Sequence, residues 1–291
     1  MTGSIKGIWR CAPLGREGLP PVLAARLLRA PLVAASLVGL SLLGAMLAAT
    51  LLAGASVWAQ EKRSGDAAAL MRRVDELWRG ASSHAVLTMT VKTRRYSRAM
   101  TMDSWSQGKE KSLVRILSPK KDRGIATLKV NRNIWNYLPK INRITKIPSN
   151  MMMGSWMGSH FTNDDLVKES SFETDYQSKI TYEGMRNGKS IYEVTSLPRP
   201  DAPVVWGKVV TVIERKTLLP LRAVYFDEDG ARARTLVFSE PRRFGKRTLP
   251  ARLELTPEGK PGESTVLLYR EINFDVTFPR GLFSLRALRR R

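Results

Sequence analysis

The chain has 291 residues, with 48 Lys and Arg against 26 Asp and Glu and a formal net charge of +22. Its single cysteine, Cys11, excludes disulfides and multi-cysteine metal sites. In a cytosolic protein this charge would point to nucleic acid, whereas in an exported one it points to anionic headgroups or other polyanions at a membrane surface.

The opening residues have the order of an export signal. Lys6, Arg10, Arg16, Arg26 and Arg29 stand against one acid, Glu17, before an uncharged apolar run from Pro31 to Val57. The run ends in small residues, with Val57 and Ala59 suited to positions −3 and −1 of a signal-peptidase site. Residues 1–59 are therefore expected to be a signal peptide cleaved after Ala59, with 60–291 a single domain. The run also reaches the ~20 residues a spanning helix needs, so the alternative is an uncleaved inner-membrane anchor. Both readings place the remainder in the periplasm. Cys11 lies before the run, so no lipobox cysteine follows it.

Residues 66–79 have helical spacing, with Leu70, Val74, Leu77 and Trp78 on one face, Asp66 as a cap and Gly80 as a stop. The period then changes to two. Ala85, Leu87, Met89 and Val91 share one side of a first strand. Further strands are predicted at 99–107, 110–117, 124–131, 133–138 and 143–148, with a turn at Gly108 and a stop at Pro119. Residues 149–169 break the pattern, and Asn163 to Asp165 could start a short helix there. Strands resume at 171–183, 189–197, 204–214, 220–227, 232–239, 247–256 and 263–275, with turns at Gly188, Gly230 and Gly259. The tail from Arg286 is a basic end expected to be mobile. About a dozen strands, one clear helix and no βαβ alternation imply a mainly β fold. The fold class is a strongly curved antiparallel half-open β-barrel with one N-terminal amphipathic helix and a short helical and loop lid.

Chemistry is not assembled anywhere in the sequence. His84 and His160 are the two histidines, and no spacing joins them to carboxylates as a metal site. No catalytic triad, nucleophile elbow or phosphate-binding glycine motif is present. No catalytic residue, metal or cofactor is expected, and an enzyme is disfavoured. The unusual material lies between 134 and 161. There Trp135 and Tyr137 are followed by Met151, Met152, Met153, Trp156, Met157 and Phe161, with Gly154 and Gly158 between them. Methionine adapts to apolar partners of different shape. Such a loop either lines or lids an apolar cavity, or plugs one end of the sheet.

Three segments in order carry a family resemblance: Leu117 to Pro119 with Gly124 and Leu128; Asn133 to Lys140 followed by Arg143 to Ile147; and Met151 to Leu166. Together they resemble the periplasmic outer-membrane lipoprotein-sorting, LolA-like family, in its broader branch. The chain departs from the family pattern at His160, Thr162 and Asn163, and the cavity arginine of the best-known carriers has no mapped counterpart. The resemblance implies an apolar cavity for lipoprotein acyl chains or another lipid. It makes Leu128, Trp135, Tyr137, Met151, Met152, Met153, Trp156, Met157 and Phe161 its candidate lining and Gly154 and Gly158 its hinges. The implied function is carriage of lipids between membranes by a monomer, with acyl chains, an anionic membrane surface and an inner-membrane exporter as partners and no nucleic acid. The alternative is a sensing or scaffold module of the same fold that binds a protein partner.

Overall fold

Two-residue alternation over most of the chain leaves each strand one apolar side to bury, and a single antiparallel sheet satisfies all of them. The computed structural model describes residues 66–78, 80–163, 165, 175–200, 202 and 204–289. The proposed export segment and its cleavage point lie outside them. The sheet has thirteen strands: β1 (Ser82–Lys92), β2 (Ser97–Gln107), β3 (Lys111–Ser118), β4 (Ala126–Val130), β5 (Asn133–Leu138), β6 (Arg143–Lys146), β7 (Tyr176–Arg186), β8 (Lys189–Pro198), β9 (Lys208–Glu214), β10 (Pro220–Phe226), β11 (Arg232–Phe244), β12 (Arg247–Pro257) and β13 (Ser264–Phe274).

Their order is β6-β5-β4-β3-β2-β1-β13-β12-β11-β10-β9-β8-β7. Every neighbouring pair is a hairpin except β1 with β13. The sheet is not closed, and its ends are β6 and β7. Register shifts interrupt the β1–β13, β2–β3, β7–β8, β9–β10 and β10–β11 ladders. An extra residue on one strand bends it and raises its twist, which is how the half-open barrel acquires its curvature.

Helix α1, residues 66–78, covers the inner face. Ala67, Leu70 and Val74 pack on Val194 of β8 and Ile213 of β9. Leu77 and Trp78 continue onto Ala85, Phe244 and Leu249. This is the face that the three- and four-residue spacing predicts. Arg247 donates to the carbonyls of Glu76 and Leu77 at 3.0 and 3.2 Å, satisfying acceptors that the helix end leaves open.

Several boundaries move for identifiable reasons. Strand β9 starts at Lys208 rather than 204, directly after Gly207, whose backbone lies so close to Asp227 that a Cβ there would stand 2.4 Å from its carbonyl oxygen. Strand β11 runs to Phe244 rather than 239. It passes Glu240 at positive φ and sets Pro241 opposite Pro250. Neither proline has an N–H to donate, and both lie beyond the paired reach of β10 and β13.

The C-terminal tail corrects the expectation of mobility as far as residue 289. Ser284 caps a short helix, α2 (Leu285–Leu288), by accepting from the Ala287 N–H. Leu288 is fully buried with Leu113, Ala126, Leu128 and Tyr137 on the outer face of the sheet. Arg115 donates to the Ala287 carbonyl at 2.7 Å. Apolar residues at 282, 283, 285 and 288 among the arginines give this segment a side to bury, which its basic composition obscures.

Replacing Leu288 with Ala should cost roughly 2–5 kcal/mol, the range for emptying a fully buried leucine site. A mobile tail would lose nothing, so the urea midpoint of L288A decides between the two.

Candidate functional site

The strand register sorts the candidate lining onto two faces. Leu113, Leu128 and Trp135 stand opposite one another across β3, β4 and β5. The residues one step along, Val114, Thr127 and Asn136, form the parallel row on the other side. Leu128, Trp135 and Tyr137 therefore belong to the outer core under α2. Trp156, Met157 and Phe161 belong to the inner face. The sequence groups these residues by proximity along the chain, but a two-residue period sends alternate side chains to opposite faces.

The inner face beneath the loop is built from β1, β2 and β3. Leu87 pairs with Met102, Met89 with Met100, and Met102 with Ile116. Met89, Met100 and Met102 are buried to 1% exposure or less. Trp156 sits directly on this layer, itself only 4% exposed, with Met157 and Phe161 partly buried beside it. Phe161 also reaches Leu236, Leu253 and Leu255, and so joins the two halves of the inner face. Met151 and Met153 point away from it, at 57% and 50% exposure, with Met152 between them half-buried.

The loop closes on itself as a small hairpin. Trp156 N–H donates to Phe161 O at 2.8 Å, and Asn163 N–H donates to Gly154 O at 2.9 Å. Gly154 is required for close approach, since a Cβ there would meet Met151 O at 2.9 Å. Gly158 adopts a φ of +67°, which glycine takes without steric cost. Both hinge candidates thus form the tight points of the loop.

The loop is held to the sheet by polar ties from four separate elements. Trp156 Nε1 donates to Thr127 Oγ1 of β4 at 3.2 Å. Tyr96 Oη, before β2, donates to Gly158 O at 3.2 Å. His160 meets β13, its backbone N–H donating to Thr265 Oγ1 at 3.0 Å and its ring nitrogens lying 2.8 Å from Thr265 Oγ1 and 3.2 Å from Glu263 Oε2. Thr162 and Asp165 form a reciprocal cap, the Thr162 N–H donating to Asp165 Oδ2 at 2.7 Å and the Asp165 N–H to Thr162 Oγ1 at 3.2 Å. Residues 163 and 165 are helical, as the acidic start predicts.

The fourth tie is the strongest. Arg234 of β11 donates two hydrogen bonds to the Asp165 carboxylate, at 2.7 and 2.5 Å. Its guanidinium lies 4.2 Å from the centre of the Trp206 ring and 4.3 Å from that of Tyr225. The side chain is 5% exposed. A two-pronged charged pair between aromatic faces fixes geometry as well as energy. The sequence reading missed this arginine, although a signal was there. Arg234, Leu236 and Phe238 share one phase of β11, so a cation stands where alternation calls for an inward apolar residue. It also missed Met100 and Met102 as the floor of the site.

The Glu263 carboxyl is held below the usual carboxylate range, first by its hydrogen bond with His160 and then by the Arg94 backbone N–H. Among the described residues no three His, Cys, Asp or Glu side chains are grouped to hold a metal ion. The arrangement is an apolar layer under a polar-tied cover.

Solved structures share this architecture. A domain from Vibrio parahaemolyticus, assigned as an outer membrane lipoprotein-sorting protein, is similar with a TM-score of 0.69 and 23% identity, over 78% of this chain and 100% of that one. A DUF1329 family protein from Desulfovibrio piger gives 0.72 and 19%, over 78% and 99%. A LolA superfamily protein from Nitrosomonas europaea gives 0.65 and 18%, over 76% and 98%. The fold is thus the LolA-like one that the sequence motifs resemble. Residues 108–290 match the model of a family described as "Uncharacterized protein", and the chain belongs to that family. A comparison with curated proteins gives no match.

Two outcomes test the ties. Asp165→Asn should lower stability by roughly 3 kcal/mol in urea unfolding, because it removes the carboxylate charge from a two-pronged contact with the buried Arg234 guanidinium. A change within ~0.5 kcal/mol would mean that the pair contributes only geometry. The Glu263 contribution should be complete above the ordinary carboxylate pKa of about 4.3 and lost as pH falls through the lowered native value. Glu263→Gln should remove that step from the acid limb of a stability-versus-pH curve.

Proposed function

We propose that this protein is a non-enzymatic carrier of the periplasm, exported by residues 1–59. It takes up the acyl chains of a lipoprotein or a related lipid on the inner face, beneath the 149–165 loop, and moves them between membranes. The observation that carries this reading is a methionine floor buried under an aromatic plug that polar contacts tie to the sheet. Met89, Met100 and Met102 can repack around a chain of variable length. Opening would withdraw Trp156, Met157 and Phe161, with Gly154 and Gly158 as hinges. Met151, Met152 and Met153 would meet the emerging part of the cargo. The LolA-like fold agrees with this role. Transfer of a C16 chain from water to such a layer is worth on the order of 10 kcal/mol, at about 0.8 per methylene.

A second reading is a sensing or scaffold module that binds a protein such as a membrane exporter. The seating of Trp156 directly on the inner layer favours it, because that face is then occupied without cargo.

Native mass spectrometry of protein taken from a periplasmic extract separates them. A carrier should show discrete lipid adducts that are lost in Met102→Asp, while Met185→Asp, at an exposed position of the edge strand β7, should retain most of them. A bare mass that stays bare after incubation with lipid vesicles would transfer the assignment to the protein-binding module.

A further inference from the structure

The outer face carries a second feature that the inner-face carrier reading leaves unused. Where α2 meets the edge of the sheet, Trp135, Ile144, Lys146, Leu285, Arg286 and Arg289 line an open depression of about 500 Å³. Its floor is apolar and its rim is cationic. Leu285 is 45% exposed although its neighbours Ala287 and Leu288 are buried. The Lys146 ammonium lies over the Trp135 ring, 6.0 Å from its centre, and the Lys146 side chain is exposed.

Charge and apolar exposure coincide around this depression. Between Glu110 and Asp164 the chain has ten Lys and Arg and a single acid, Asp122. After Asp275 it has five arginines and no acid. Two of these ten, Lys140 in the turn after β5 and Arg143 at the start of β6, flank Ile141, which is 63% exposed. Short edge strands commonly carry lysine as a guard against pairing, but that explains neither the exposed Leu285 and Ile141 nor the depression beside Leu285. A nucleic-acid surface would not need exposed aliphatic residues beside its cations. An interface between lipid headgroups and acyl chains needs both.

We propose that this edge, formed by β5, β6, their turn and α2, is the surface on which the protein docks to an anionic bilayer. Lys146, Arg286 and Arg289 sit at the level of the lipid phosphates, and Leu285, Ile144 and Trp135 reach the boundary below them. The site lies on the opposite face of the sheet from the loop, so docking does not depend on what the inner face holds.

The test is co-sedimentation of the full chain with vesicles of phosphatidylglycerol or of phosphatidylcholine at about 0.1 M salt, where the screening length is about 10 Å. The uncharged run 31–57 contributes alike to both vesicle types, and the N-terminal cations contribute alike to all variants. The expected result is a preference of the wild type for phosphatidylglycerol. K146A/R286A should lower that binding by about 25-fold, at roughly fivefold per basic residue near an anionic surface. K216A/K246A, an equal charge change at exposed positions on β9–β10 and β11–β12 connections, should change it by less than about twofold. Leu285→Ser should weaken the binding that persists at about 1 M salt, where charge attraction is screened. All these positions are exposed, and unchanged thermal melts will confirm that the variants fold. Equal binding to both lipids, or equal losses in the two double variants, overturns the proposal. Because no variant touches the inner face, retained lipid adducts beside lost docking separate this result from a failure of the carrier reading.

Discussion

The constraint on which the structure turns is topological. Strands β1 to β6 run out to one edge of the sheet and β7 to β13 return from the other, so the connection between β6 and β7 must cross the sheet. A backbone crossing an apolar face cannot leave its N–H and C=O groups without partners. The 149–165 segment meets this by closing into a small hairpin, by folding into short 3-10 turns at Ser149–Met151 and Trp156–Gly158, and by binding the sheet through side chains. The cover over the inner face is a consequence of strand order, and its polar ties are a consequence of the crossing.

The ties also set the mechanical character of the cover. Thr127, Tyr96, Thr265 with Glu263, and Arg234 come from β4, the approach to β2, β13 and β11. They are spread over both halves of the sheet, so the cover cannot lift from one half without straining its ties to the other. Three of them are neutral or partly exposed contacts, each worth about 0.5–1.5 kcal/mol net. Arg234 with Asp165 differs in being a desolvated charge pair between two rings, and losing one partner costs far more than the pair contributes. It therefore acts as the register pin of the cover, with Asp165 placed by the same Thr162 cap that starts the helical turn.

Much of this was legible in the sequence. The change of period after Gly80 marks the helix-to-strand boundary, and the glycine turns at 108, 188, 230 and 259 mark hairpins that the structure contains. The Met, Trp and Phe loop was visible as a break in alternation. What was not legible depends on pairing at long range. Nothing local says that Leu128 and Trp135 face away from Trp156, because that is decided by the register of β3, β4 and β5 together with the path of the crossing. The tail was misread for a related reason. Its arginines dominate the composition, while the two residues that bury, Ala287 and Leu288, acquire a partner only once Leu113, Ala126 and Tyr137 have come together from three strands.

Under the proposed function, release is as demanding as uptake, and the plug addresses both. Burying a large apolar side chain is worth about 1.5–3 kcal/mol, so the apolar burial of Trp156, Met157 and Phe161 contributes roughly 5–9 kcal/mol at most to closing the inner face, beside the polar ties. A C16 chain offers on the order of 10 kcal/mol for the same surface. Two quantities of similar size, exchanged for one another on one apolar layer, leave a small net difference. Cargo can then displace the plug, and the plug can displace cargo when a membrane or partner offers the chain another apolar environment. A continuous leucine core in place of the plug would bind too firmly to open. An open cleft would hold cargo with no internal competitor, and its exposed methionines would invite aggregation.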